Sequence, residues 1–318
     1  MSSLRSFWPP SPPSTRRPRP ISSIPIWKSR DMRYFIEHET VLEYPEAVRE
    51  HHVELRLTPR EDSYQRLLGI TLETEPTAGL RGYRDYYGNQ VTCFDIIQPH
   101  RRLVTRMRAE VENTLANPFD FQPLSPGDEQ ERLREALRTT PALYDYILSR
   151  SPATPNLGRL DQGFAFPCHE PGRPVLESVQ QAMEWITTVL RYKAGVTTVH
   201  STLAQALTAA AGVCQDFAHL LIAIVRSWKI PARYVMGYLA SREEGAEEAP
   251  PATHAWTEVF IPGRGWTGFD ATQQILANDL FIPVAVGRDY LDAAPQRGSF
   301  KGDAAGDNPV IRLSISQQ

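Results

Sequence analysis

Cys214 sits in the run Ala211-Gly212-Val213-Cys214-Gln215-Asp216-Phe217-Ala218-His219, where a glycine-marked break meets an apolar segment. From Phe217 the apolar residues recur at Leu220, Leu221, Ile224, Val225 and Trp228, the spacing of one buried helical face. Gly212 ends the alanine-rich run before it, which places Cys214 in the first turn of a new helix. There the unpaired backbone N–H groups and the positive end of the helix dipole favour a negative charge. A thiol so placed is expected to ionise more readily and to serve as a nucleophile.

A nucleophile of this kind needs a base. His254 lies 40 residues on, opening Thr253-His254-Ala255-Trp256-Thr257-Glu258-Val259-Phe260. After Pro262-Gly263-Arg264-Gly265 comes Trp266-Thr267-Gly268-Phe269-Asp270. Both runs are rich in β-branched and aromatic residues and the link is turn chemistry, so the pair reads as a β-hairpin. His254 opens one strand and Asp270 closes the other, so antiparallel pairing brings them to the same end. A carboxylate there can fix the imidazole tautomer while the other ring nitrogen faces the thiol. His219 is a rival base, but five residues along the same helix it lies about 140° round from Cys214 and is expected to cap or pack. Asp216, in the first turn, is expected to favour the helix dipole. Singly, each of these residues has a plainer reading: a buried small thiol, a core histidine, a turn aspartate. Their coincidence at three element boundaries is what points to chemistry.

Four stretches, Gly212–His219, Ile230–Tyr238, His254–Val259 and Gly265–Asp270, together resemble the bacterial transglutaminase-like cysteine hydrolases, in family order and with compatible spacing. Tyr83–Asn89 and Pro99–Leu103 resemble the β-rich N-terminal region that accompanies this catalytic domain in bacteria. Val284–Asp292, with Pro295 and Gly298, resembles the family's C-terminal segment, so the likeness spans residues 32–316. The resemblance implies that Cys214 is the nucleophile, His254 the general base and acid, and Asp270 the orienting carboxylate. It also implies a papain-like core, in which a helix bearing the cysteine packs on an antiparallel sheet bearing the other two. The implied reaction is acyl transfer from a peptide or protein amide through a thioester. Hydrolysis is favoured, because nothing visible excludes water or provides a dedicated amine site. Transfer to an amine, and a non-catalytic binding scaffold, are the alternatives. Two departures stand out: Ala271-Thr272-Gln273 replaces the usual Pro-Thr-Asn, predicting a looser turn around Asp270, and Leu280-Phe281 occupies a place where relatives often carry a histidine.

Composition fits this reading. A length of 318 residues suggests two domains, and 41% hydrophobic residues suffice for real cores. A net charge of −3 gives no reason to expect nucleic acid or an anionic membrane as partner. Three cysteines argue against a disulfide framework and for a reducing, cytoplasmic setting. Cys93 falls in a predicted strand. Cys168-His169 lacks a second ligand pair for zinc, and no calcium-type spacing is present, so neither metal nor cofactor is expected. No apolar run approaches the roughly 20 residues of a membrane span, and the N-terminus shows no apolar signal core. Composition leaves the oligomeric state open.

The elements follow from patterning, and the predicted class is α+β. Residues 1–31, rich in Pro, Arg and Ser, are expected to be a disordered tail, the fold beginning near Met32. Residues 32–116 show period-2 alternation in several short strands, reading as an antiparallel sandwich-like domain whose role is structural or substrate-positioning. Residues 117–172 read as linker and helical segment, with helices at Glu129–Leu137 and Leu143–Leu148. Residues 173–318 read as the catalytic domain, with a helix through Val179–Leu190 and an alanine-rich one at Leu203–Ala211. Gln215, Trp256, Tyr192 and Trp185 are candidate cleft-lining residues, and the acidic loop Ser241–Pro251 a candidate lid or subsite wall.

Overall fold

The computed structural model describes residues 32–160, 163–241, 253–302 and 309–317. The N-terminal tail, and the acidic loop beyond Ser241, lie outside the described residues. The chain opens with five strands, β1 (Met32–Leu55), β2 (Gln65–Glu75), β3 (Arg81–Arg84), β4 (Gln90–Ile96) and β5 (His100–Asn113). Tyr34, Ile36, His38 and Thr40 of β1 are all buried, which is the expected period of two. The first half of β1 pairs antiparallel with β5, from Met32 opposite Asn113 to Glu43 opposite Arg102. Pro45, which has no backbone N–H to give a ladder, lies two residues on. Regular pairing with β5 is interrupted between Glu43 and Val48, and Glu50 adopts φ 47°. Beyond this bend the second half of β1 pairs with β4 instead, His51 opposite Ile96 through Leu55 opposite Thr92. One long strand thus runs through both halves of a curled antiparallel sheet.

A helical segment follows, with α1 (Pro126–Thr139), a short 3₁₀ turn, α2 (Asp145–Leu148) and α3 (Val175–Val189). Then come β6 (Arg191–Tyr192), α4 (Leu203–Ala209), β7 (Ala211–Gly212) and α5 (Cys214–Ser227). The alanine-rich helix is shorter than the sequence predicts. Ala210 turns left-handed at φ 49° and closes α4, so Ala211 and Gly212 extend and pair in parallel with Arg191 and Tyr192. The remaining elements are β8 (Ala232–Leu239), β9 (His254–Ile261), β10 (Gly265–Asp270), β11 (Ile275–Leu276), β12 (Phe281–Gly287), α6 (Tyr290–Ala293), β13 (Gln296–Lys301) and β14 (Val310–Gln317). Strands β8 to β12 form an antiparallel sheet in the order β11-β10-β9-β8-β12. Helix α5 packs on it, its apolar side chains joining those of α3, α4, β8 and β9 in one core. The Thr257 hydroxyl donates to the Ala218 carbonyl at 3.0 Å, pinning β9 to α5.

The last two strands leave that sheet. Gln296–Lys301 pairs with the second half of β1 and Val310–Gln317 with its first half. Sequence patterning groups these residues with the catalytic segment, yet their ladder partners are N-terminal. Strand pairing is a long-range choice that local alternation does not encode.

Candidate active site

Helix α5 begins at Cys214, with Val213 in the N-cap position at φ −109°, ψ 178°. Valine has no side-chain acceptor, so the cap is built backwards from Asp216, whose Oδ2 accepts the Val213 N–H at 2.8 Å. The Thr197 hydroxyl donates to the same oxygen at 2.6 Å. Burial pushes the Asp216 carboxyl up, and these hydrogen bonds oppose the rise. Gly212 is required here, because a Cβ at that position would lie 2.6 Å from Asp216 Oδ2. Asp216 therefore shapes the turn that presents Cys214, in keeping with a structural role.

Hairpin β9–β10 delivers the other two groups. Its register sets Gly265 opposite Ile261 and Phe269 opposite Thr257, so Asp270 falls opposite Trp256 and diagonal to His254 on the same face. The diagonal is closed by a hydrogen bond of 2.7 Å from His254 Nε2 to Asp270 Oδ2. Asp270 is fully buried. Its second oxygen accepts the Thr272 N–H at 2.8 Å and the Gln273 N–H at 3.3 Å. The turn after Asp270 is thus held by the carboxylate itself, and Ala271-Thr272-Gln273 does not loosen it. With Nε2 committed to Asp270, Nδ1 is the ring nitrogen left for a second partner, and a hydrogen bond to Cys214 acts on the imidazole. Burial pulls the His254 pKa down, but the Asp270 hydrogen bond, the Cys214 hydrogen bond and their charges outweigh it and raise it to about 10. Such an imidazole is held protonated at neutral pH, poised beside the thiol.

His219 belongs elsewhere. Its Nε2 accepts the Tyr290 N–H at 3.1 Å and its ring lies over Tyr234 at 4.9 Å between centroids. Burial lowers its pKa to about 3, so it is a neutral acceptor that secures the start of α6. Of the four aromatic and amide candidates, Gln215 lines the cavity against Cys214. Tyr192 is 59% exposed, paired in β6 opposite Gly212, and its hydroxyl is pushed up by burial and by the nearby Cys214 charge. The two tryptophans do not line that cavity. Trp256 is buried behind His254, 2.5 Å from where a Cβ on Gly237 would be, and edge-on to Phe281 at 5.2 Å. Its place on the His254 face puts it in the core, since the sheet there is covered. Trp185 packs with Phe164 and Phe166 in a separate aromatic cluster.

The cavity beside Cys214 and His254 measures about 460 Å³. One wall is made by Val213, Tyr234 and Met236; the other is Leu42 and Tyr44 of β1, Phe300 of β13 and Ile311 of β14. The N-terminal sheet therefore closes the site. The signal was in the alternation of β1, but only pairing with β13 and β14 gives that alternation a place. A second feature missed by patterning is Arg226 at the far end of α5, wholly buried, donating to the carbonyls of Ser149, Ala232 and Arg288 and to the Thr154 hydroxyl. Among the described residues no cluster of acidic, histidine and cysteine side chains could hold a metal ion. No helix among them is long and apolar enough to cross a membrane.

A hairpin-borne histidine and aspartate facing the first residue of a core helix define a class, and residues 162–271 match the transglutaminase-like superfamily while residues 34–112 match the bacterial transglutaminase-like N-terminal region. The chain belongs to the transglutaminase-like superfamily. An uncharacterized protein of Mycobacterium leprae is 32% identical over 292 residues, 90% of this chain and 98% of that one. An uncharacterized protein of Mycobacterium tuberculosis is 32% identical over 302 residues, 92% of this chain and 95% of that one. Among solved structures, a "Putative Cysteine Protease" from Cytophaga hutchinsonii superposes with a TM-score of 0.65 at 22% identity, covering 90% of this chain and 91% of that one. That likeness is one of fold.

Proposed function

We propose that the protein is a cysteine hydrolase of amide or peptide bonds that works through a thioester. Cys214 Sγ attacks the substrate carbonyl, the C–N bond breaks, and His254 gives its proton to the departing amine. Water then attacks the thioester, His254 takes a proton from it, and the thiol leaves with the acid released. Asp270 keeps Nε2 engaged so that Nδ1 serves the thiol in both steps. The Cys214 backbone N–H, in the first turn of α5 where no intrahelical acceptor precedes it, is suited to hold the oxyanion. The observation that carries this reading is the 2.7 Å hydrogen bond from His254 to a buried Asp270, on an imidazole raised to about 10 beside Cys214. A cytoplasmic setting belongs to the same proposal, since Cys93, Cys168 and Cys214 are free thiols.

Iodoacetamide labelling near neutral pH tests the thiol. Cys214 is expected to react faster than a free cysteine and to lose that advantage in His254→Ala; equal rates in all three would overturn the proposal. Incubating a glutamine peptide with and without a primary amine separates hydrolysis from transfer by the products, water being the expected acceptor.

A further inference from the structure

The walls of the cavity beside Cys214 carry information about the substrate that the triad geometry does not. Among the described residues lining it there is no aspartate, glutamate or lysine, and the one arginine, Arg297, is an exposed residue of β13. Tyr44, His51 and Phe300 meet edge-on in a mutual cluster, with ring centroids 5.1 to 5.8 Å apart, and form part of the lining. Leu42 and Ile311 extend the same apolar surface from β1 and β14. The two remaining imidazoles of the lining are held uncharged by burial, His38 and His51 both being lowered to about 4. His38 is in any case engaged, with Nδ1 3.0 Å from the Tyr238 hydroxyl and Nε2 3.0 Å from that of Thr40.

Taken with the hydrolase reading, on which this rests, the geometry points to an acyl-side-chain subsite: we propose that the cavity takes an aromatic or large aliphatic side chain next to the scissile carbonyl, so that the N-terminal sheet selects amides of apolar acyl groups. The acyl part is bonded to Sγ from the first chemical step until water releases it in the second, after the amine has departed, so a pocket lined by Cys214 is the place to hold it. A volume of about 460 Å³ lies within the range of pockets that enclose a small ligand. A lysyl side chain would bring its ammonium into a lining that offers no carboxylate among the described residues, and a glutamyl one would lie against the apolar wall of Leu42, Tyr44, Phe300 and Ile311 unless it reached His254 or Arg297. Discrimination in such a pocket amounts to roughly 10- to 200-fold in second-order rate.

The test uses chloromethyl ketones of N-acylated phenylalanine, leucine, lysine and glutamate, with alkylation of Cys214 in the full chain read by intact mass. Each rate is divided by that of the same reagent with N-acetylcysteine. Phenylalanyl and leucyl reagents are expected to exceed lysyl and glutamyl ones by roughly 10-fold or more. Leu42→Glu should narrow or invert the phenylalanyl-to-lysyl ratio. Ile311→Glu asks the same from the opposite strand, should the first variant fail to fold. Rates within about twofold of one another across the series, or faster labelling by the charged reagents, overturn the subsite. Iodoacetamide carries no side chain and reads thiol activation alone, so a slow iodoacetamide reaction indicts the hydrolase reading, whereas a flat ratio among the ketones indicts the pocket.

Discussion

Asp270→Asn separates the charge of the carboxylate from its shape. The His254 pKa moves from 6.5 to about 10 in a largely buried setting, its side chain 13% exposed. At about 1.36 kcal/mol per pH unit, that is a preference of about 5 kcal/mol for the imidazolium after the cost of burial. Asp270 is the foremost of the groups that raise it. Losing an opposite charge at this range moves a pKa by about 1 to 3 units, so the His254 midpoint should fall to between about 7 and 9. The substitution also reverses a hydrogen bond. Asparagine can keep its oxygen on the Thr272 N–H, but the amide nitrogen then faces Nε2 and forces the ring proton onto Nδ1, where it confronts the thiol. The wrong tautomer is expected to slow turnover by about 10³ to 10⁴. The assay is NMR titration of the His254 ring proton, assigned by its absence in His254→Ala, alongside the pH dependence of Cys214 alkylation. A wild-type His254 that titrates near 6.5, or a midpoint left unmoved by Asp270→Asn, would refute the reasoning. Linkage gives a second reading with a fixed sign. Because the folded value lies above the unfolded one, His254 contributes stability that is full below 6.5 and lost as pH rises through about 10, and Asp270→Asn should shrink that loss and move it down to its lowered midpoint.

The buried histidines act in the opposite sense. His38, His51 and His219 have folded values of about 4, 4 and 3, below the unfolded 6.5, so their contribution is full above 6.5 and declines as pH falls, by about 2 kcal/mol for His219 at pH 5. Thermal unfolding should show this acid loss, and His219→Gln, which retains an acceptor for the Tyr290 N–H, should lessen it without changing Cys214 alkylation; an unchanged acid slope would count against it. Gly212→Ala sets a Cβ 2.6 Å from Asp216 Oδ2 and should cost about 1 to 3 kcal/mol in chemical denaturation while slowing alkylation of Cys214, since the cap that presents it must shift. Full stability in that variant would show that the turn tolerates the methyl.

The positions of Cys214, His254 and Asp270 were legible because each lies at an element boundary written in local chemistry. Gly212 breaks one run, the period from Phe217 to Trp228 starts a helix, and Pro262-Gly263 folds the strands back. Local signals failed where packing decides. Trp256 and His254 share a strand face, and nothing in the alternation distinguishes a side chain facing the cleft from one two residues on that lies beneath it. Gly237 and Gly268, on the flanking strands, were the clue, for their missing side chains make room for the indole. The α4 terminus likewise went unread because Ala210 takes a left-handed conformation that alanine disfavours, imposed by the pairing of β6 with β7.

The hardest feature to see was the cavity wall. Thr40, Leu42 and Tyr44 read as one more alternating strand, and so do Gln296–Lys301 and Val310–Gln317 at the other end of the chain. Only when β13 and β14 flank β1 do Phe300 and Ile311 arrive beside Leu42 and Tyr44, opposite the thiol. The bend after Glu43 matters as much, because a straight β1 could not pair with β5 along one half and β4 along the other. Cys214, His254 and Asp270 thus fall within 56 residues of one another in sequence (270 − 214), while the surface facing them is assembled from both ends of the fold. On the proposed reading chemistry and selectivity are therefore separable: substitutions in β1, β13 or β14 are expected to alter what the site accepts while leaving the hydrogen bond from His254 to Asp270 in place.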